Sequence, residues 1–305
     1  MGKLAFVFAG QGGQYPGMGR ELEGSIRESA EVFHAAELLR PGTIKQCFEG
    51  PEEELISTVN TQPFLFTMEM AAAAALDAAG IRADMTAGFS LGELSALAYA
   101  GAADFPAMFG LVNTRALFMQ EASEKHPASM AAVLKLSSDQ VREVCSRFTS
   151  VYPVNFNCPG NISVAGLDDE MGAFREAVKA KGGRAVPLKV KGGFHSPLME
   201  EAARRFAEVL EGSELKAVRI PVYADRTGKP YPEEPSMLKE TLSRQICSPV
   251  LWESAVRSMI ADGADTFVEI GPGTTLSGMI RRIDKGVRVF AVSDLESLKS
   301  FRAAL

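Results

Sequence analysis

Apolar residues in this chain fall into short blocks of two kinds. The first is a nearly continuous apolar run closed by a glycine or a polar turn. KLAFVF (3–8), MTAGF (85–89), RIPVYAD (219–225), TFVEIGPG (266–273) and VRVFAVS (287–293) have this form. The run 3–8 suits a strand buried on both faces, and the others read as further strands. The second kind reads as helix. Residues 64–79 carry an alanine stretch and predict a buried helix, and LGELSALAYAGA (91–102) predicts another. PLMEEAARRFAEVLE (197–211) is amphipathic with proline at its start, and PVLWESAVRSMIADG (249–263) closes on a glycine cap. TLSGMIRRI (275–283) predicts a helix between the last two strands. Short apolar strands alternating with helices predict an α/β fold, with a mostly parallel sheet covered by helices.

The middle of the chain keeps a different order. From residue 130 it runs strand (MAAVLKL), helix (DQVREVCSRF), strand (VYPVNFN), turn (CPGN), strand (ISVAG), helix (MGAFREAVKAKG) and strand (RAVPLKV). That is βαββαβ, the ferredoxin-like order. It predicts a small subdomain at 128–191, inserted into a large domain made of 1–127 and 192–305. The junctions fall near His126-Pro127 and Gly192-Gly193. No repeat or low-complexity tail interrupts this plan.

Composition narrows the function classes. The chain has 305 residues, 46% apolar and 23% charged, ordinary for a soluble globular protein. No run approaches the roughly 20 apolar residues that span a membrane. The apolar run Leu4 to Ala9 is too short for a signal peptide, and Phe6 stands where myristoylation wants Ser or Thr. The reading is a cytoplasmic protein. A net charge of −6 without a long basic run argues against nucleic acid, though not against small anions. Cysteines 47, 145, 158 and 247 have no CxxC spacing, which suggests reduced thiols. The three histidines lie far apart without metal-ligand spacing, so no metal site is expected.

The chemistry begins at GFSLGEL (88–94). G-x-S-x-G between a strand and a helix is a nucleophile elbow, where small flanking residues let strand and helix pass closely. The pattern alone is common, but MTAGF before it and an alanine-rich helix after it supply the required context. Ser90 needs a base. His34 lies in a polar amphipathic helix and His126 precedes a proline in a loop. His195, in KGGFHSPLM, follows two glycines that let the backbone bend toward a site, and it is the candidate base. GQGGQ (10–14) follows the first strand, so its N–H groups can face a developing oxyanion, or it can be a plain turn. A dinucleotide loop is excluded, because Tyr15 stands where G-x-G-x-x-G needs its third glycine.

FVFAGQGGQYPGMG, AGFSLGELSAL, RALFMQEAS, VNFNCPG, GGFHSPLM, RQICSPVLW and FVEIGPG, in this order, resemble the malonyl-CoA:acyl-carrier-protein transacylases of type II fatty-acid synthesis. Acyltransferase domains of polyketide synthases are similar. The resemblance spans roughly 4–295 and implies a hydrolase-like α/β domain with an inserted ferredoxin-like subdomain. It implies Ser90 as the acylated nucleophile and His195 as its base. Gln245 would orient the histidine through a carbonyl oxygen, and the N–H groups of Gln11 and Leu91 would form the oxyanion hole. Arg115 would grip the malonyl carboxylate, and Asn155 would lie beside the site. Arg115 has physical support, because Leu111, Val112, Leu117 and Phe118 surround it in sequence and a buried guanidinium needs an anion. The alternative is a surface arginine paired with Glu121. Phe194 before the histidine resembles the malonyl-selective pattern. Phe89 stands where family members commonly have histidine, in a position that flanks the nucleophile.

The implied reaction is ping-pong transfer of malonyl from malonyl-CoA to the phosphopantetheine thiol of acyl carrier protein, by a monomer needing no metal or redox cofactor. A carrier protein is acidic, so Arg184, Lys189, Lys191, Arg281, Arg282 and Lys285 are candidates for a basic patch. The alternatives are a polyketide acyltransferase acting in trans, a serine thioesterase or hydrolase, a Ser-Asp lipase using Asp262-Gly263-Ala264, and a non-catalytic docking module.

Overall fold

The computed structural model describes residues 2–305. Its strands are β1 (Lys3–Phe8), β2 (Met85–Gly88), β3 (Ala128–Leu134), β4 (Val151–Cys158), β5 (Asn161–Leu167), β6 (Arg184–Lys191), β7 (Val222–Tyr223), β8 (Ala264–Ile270) and β9 (Arg288–Val292). Five of them form a sheet in the order β7-β2-β1-β8-β9, with every neighbouring pair parallel. Ala5, Phe6, Val7 and Phe8 are fully buried, as a strand covered on both faces requires. Phe8 is in register with both Gly88 and Ile270. The loops after β1, β2 and β8 therefore leave the sheet side by side at its carboxyl edge. In open α/β sheets that edge is where ligands bind.

β3 to β6 form a separate antiparallel sheet in the order β4-β5-β3-β6, with the helices Ser138–Cys145 and Asp168–Ala180. This is the ferredoxin-like arrangement that the βαββαβ order predicts. Val133, Val141, Val144, Val164, Phe174 and Val178 build its own core. Met130, Val154 and Ala165 face the other way and join the core of the large sheet.

Several elements differ from the expected limits. The helix expected at 64–79 starts at Thr58 and carries Pro63 inside it. Its first turns are polar in sequence, yet Thr58, Thr61 and Gln62 are buried. The strand expected over 219–225 pairs only at Val222 and Tyr223. Pro221 has no N–H to donate, and the chain turns at once, with the Gly228 N–H bonding the Ala224 carbonyl. The helix expected from 249 starts at Trp252. Val250 is instead extended and exchanges backbone hydrogen bonds with β4, from the Val250 N–H to the Val154 carbonyl at 2.8 Å and from the Phe156 N–H to the Val250 carbonyl at 2.9 Å. That short bridge ties β4 to the segment that runs from Gln245 to the helix at Trp252.

Candidate active site

Ser90 sits at the turn between β2 and the helix Gly92–Tyr99, with φ of 56°. A left-handed backbone costs an ordinary residue about 1–3 kcal/mol, so the fold has to hold it in place. Two glycines make the turn possible. A Cβ on Gly88 would lie 1.9 Å from the Gly92 carbonyl carbon, and one on Gly92 would lie 2.3 Å from the Phe8 carbonyl oxygen. The elbow is thus pressed against β1 with no room for side chains. Phe89 packs edge-on against Trp252 at 5.7 Å, an apolar role for the residue beside the nucleophile.

His195 also has a left-handed backbone, φ 61°, and its N–H bonds the Ile246 carbonyl. Its Nδ1 lies 3.0 Å from the Gln245 carbonyl oxygen and its Nε2 lies 2.7 Å from Ser90 Oγ. A backbone carbonyl only accepts, so Nδ1 carries the proton and Nε2 is free to accept from the serine hydroxyl. Burial, and then the nearby Arg115 charge, lower the histidine to about 4. It is neutral at pH 7, as a base must be. His34 and His126 are exposed and take no part.

Arg115 is fully buried in the helix Phe105–Lys125. Its Nη1 donates to Gln62 Oε1 at 2.7 Å, and its Nη2 donates to Gln245 Oε1 at 2.9 Å and to Ser90 Oγ at 3.2 Å. Glu121 pairs with Arg205 instead. Burial lowers Arg115 to about 10, which leaves it charged at pH 7. The Gln245 side chain completes the frame, with Nε2 donating to the Ser90 carbonyl at 2.7 Å and to Asp225 Oδ2 at 3.1 Å. Asp225 Oδ2 also accepts the Ser90 N–H at 2.7 Å.

The N–H groups of Gln11 and Leu91 donate to no other protein group among the described residues. Gly10 and Gly13 let the Gln11 loop lie close, since a Cβ on Gly10 would meet Phe89 at 2.9 Å and one on Gly13 the Pro272 carbonyl oxygen at 2.3 Å. Asn155, on β4, is nearly buried, and no hydrogen bond joins it to Ser90, His195 or Arg115. A cleft of about 1100 Å³ opens beside Gln11, walled by Ser57, Ser123, Lys189, Lys191 and Gly192. Asp262-Gly263 ends a helix before β8, at the edge of the sheet opposite Ser90, and Asp262 is taken by the Tyr223 hydroxyl.

Sequence reasoning missed Gln62, Asp225, Glu93 and Tyr231. Gln62 lay hidden because the helix was expected only from residue 64, whereas it starts at Thr58. Glu93 left a signal, as the one acid in the apolar helix Gly92–Tyr99. Its carboxyl is fully buried, with Oε1 receiving the Tyr231 hydroxyl and the Asp225 N–H.

The chain as a whole is similar to known proteins. A curated malonyl CoA-acyl carrier protein transacylase of Bacillus subtilis is 38% identical, over 98% of this chain and 96% of that one. The crystal structure of malonyl CoA-acyl carrier protein transacylase from Clostridium perfringens superposes with a TM-score of 0.95 at 37% identity, covering 99% of this chain and 96% of that one. A solved complex of a type II PKS acyl-carrier protein with its malonyl-transacylase gives a TM-score of 0.96 at 33% identity, covering 99% and 100%. A family model for the acyl transferase domain matches residues 5–298, nearly the whole fold and every residue of the frame around Ser90, and the chain belongs to that family.

Proposed function

We propose that this acyltransferase moves a malonyl group from malonyl-CoA to the phosphopantetheine thiol of a holo acyl carrier protein, through malonyl-Ser90. The observation that carries the reading is the buried Arg115 guanidinium with its Nη2 3.2 Å from the nucleophilic oxygen. A cation at that place matches an acyl group with a carboxylate at its far end.

In the first half-reaction the Ser90 Oγ attacks the thioester carbonyl while its proton passes to His195 Nε2. The tetrahedral oxyanion sits on the Gln11 and Leu91 N–H groups, a donor set of which each member is worth about 10²–10³ in rate. The C–S bond breaks, and the coenzyme A sulfur takes the proton from Nε2. In the second half the carrier thiol gives its proton to Nε2 and attacks the malonyl ester, and the proton returns to Ser90 Oγ. Malonyl binding aids the base. The carboxylate offsets the Arg115 charge, one of the two causes that depress His195. Gln245 acts through two groups, its backbone carbonyl on the histidine and its side chain on Arg115.

The cleft beside Gln11 is the entry for both pantetheine arms, with Lys189 and Lys191 on its wall. Residues 128–191 act as an inserted small domain forming one side of that cleft, and 1–127 with 192–305 supply the other side and the chemistry. Asn155, on β4, pairs with Val250 where the small sheet meets the rest of the chain, and is assigned a place beside the site. No helix among the described residues is long and apolar enough to cross a membrane, and the reading extends to a cytoplasmic monomer without a resident cofactor.

The test is incubation with malonyl-, methylmalonyl- and acetyl-CoA, with and without holo carrier protein. A malonyl adduct by intact-protein mass spectrometry, lost in Ser90→Ala and discharged only by the carrier, is the expected result. Discharge at the same rate by water would make the protein a thioesterase, and an adduct that survives Ser90→Ala would refute the nucleophile.

A further inference from the structure

Beneath the elbow lie two carboxyl groups that the transfer reaction does not use. Glu93 is on the helix Gly92–Tyr99, and Asp225 follows β7. Glu93 is 0% exposed and Asp225 1%. They are neighbours, since the Asp225 N–H reaches Glu93 Oε1 at 3.3 Å. Each uses one oxygen for two donors. Glu93 Oε1 takes the Asp225 N–H and the Tyr231 hydroxyl, and Asp225 Oδ2 takes the Ser90 N–H and the Gln245 amide. The other two oxygens, Glu93 Oε2 and Asp225 Oδ1, are buried and have no partner. Two unpaired buried carboxyl oxygens on adjacent groups are costly, unless a proton lies between them.

We propose that Glu93 and Asp225 share one proton, held on Asp225 Oδ1 and donated to Glu93 Oε2, so that Asp225 Oδ2 remains a neutral acceptor positioning the Ser90 N–H and the Gln245 amide. Asp225 is then a positioning residue, acting on the nucleophile through its backbone and on Arg115 through Gln245. Charge balance supports this. The buried groups here are Arg115, His195, Tyr231, Glu93 and Asp225. With His195 and Tyr231 neutral, one guanidinium is matched by one carboxylate. Two carboxylates would leave an uncompensated buried charge. Burial raises both carboxyls, and the Glu93 charge raises Asp225 further, which favours the proton on Asp225. Tyr231 also favours the ionised form of Glu93, since a hydroxyl donates more strongly to a carboxylate.

The pair is tested with Glu93→Gln, Asp225→Asn and the double variant, by thermal unfolding at pH 7. Each single amide supplies the bridging hydrogen that the shared proton supplied, so each melting temperature should fall by no more than about 3 °C. The double variant puts two NH₂ groups face to face, with no acceptor between them. It should melt on the order of 5–10 °C below the sum of the single effects. Additive effects, or single variants that each melt higher because a repulsion is relieved, would overturn the proposal. This result does not depend on which acyl group is transferred.

A second readout, resting on the malonyl reading above, separates positioning from bulk stability. Loss of the shared proton at alkaline pH adds negative charge beside Arg115. The KM for malonyl-CoA should then rise several-fold between pH 7 and 9.5 while that for acetyl-CoA stays level, and Asp225→Asn should abolish the rise. The same pH dependence in both proteins would overturn the link to Arg115.

Discussion

Replacing Arg115 by alanine separates its recognition role from its structural one. The guanidinium donates to Gln62, Gln245 and Ser90 and has no exposed surface. Removing it leaves the side-chain oxygens of Gln62 and Gln245 without their donor, at about 1–3 kcal/mol each. A total loss of about 2–6 kcal/mol in stability follows, measurable as a urea midpoint shift. The loss in malonyl transfer has a different origin. A buried charge-assisted contact to a carboxylate is worth about 3–4 kcal/mol, hence roughly 10²–10³ in kcat/KM for malonyl-CoA. Acetyl-CoA has no carboxylate, so its kcat/KM should fall less than about tenfold, through the loosened Gln245 and Ser90. Arg115→Lys restores the charge without the planar fork and should lie between the two for malonyl. The assay is the acyl-enzyme rate with each donor. Equal losses for malonyl and acetyl would show that Arg115 only holds the site together, and the substrate assignment would fall.

Acid dependence follows from His195. Its folded value of about 4 lies below the ordinary 6.5, so acylation should stay level from pH 7 to about 5 and decline toward 4. In Arg115→Ala one depressing cause is gone, and the limb measured with acetyl-CoA should move upward. The same depression adds stability, because the folded state binds fewer protons. About 3 kcal/mol is present above pH 6.5 and is lost as pH falls toward 4; a urea midpoint that is flat over that range would contradict the burial argument. Gly92→Ala forces a Cβ to within 2.3 Å of the Phe8 carbonyl oxygen, so it should cost about 1–3 kcal/mol and abolish acylation. Gly278→Ala, with no atom within 4 Å of its new Cβ, is the control that should keep both.

Local physics made much of this protein legible before folding. A strand covered on both faces has to be apolar throughout, so KLAFVF and MTAGF identify themselves. The elbow was legible because Gly88 is demanded by a backbone contact that the motif itself creates, while the contact that demands Gly92 comes from the Phe8 carbonyl of β1. His195 was the one histidine with glycines that let it turn, although its left-handed φ was not foreseeable. The order β7-β2-β1-β8-β9, the two-residue length of β7 and the bridge at Val250 were settled by tertiary pairing. So was the meaning of the buried polar residues. Asp225 reads as an ordinary turn acid, and only folding brings it to the Ser90 N–H from 135 positions away. Gln62 becomes the clamp of Arg115 across 53 positions. Apolar patterning reports how deeply a segment is buried, because burial acts on each residue in its own place. The use of a buried polar group depends on its partner, and the partner is known only when the chain has closed.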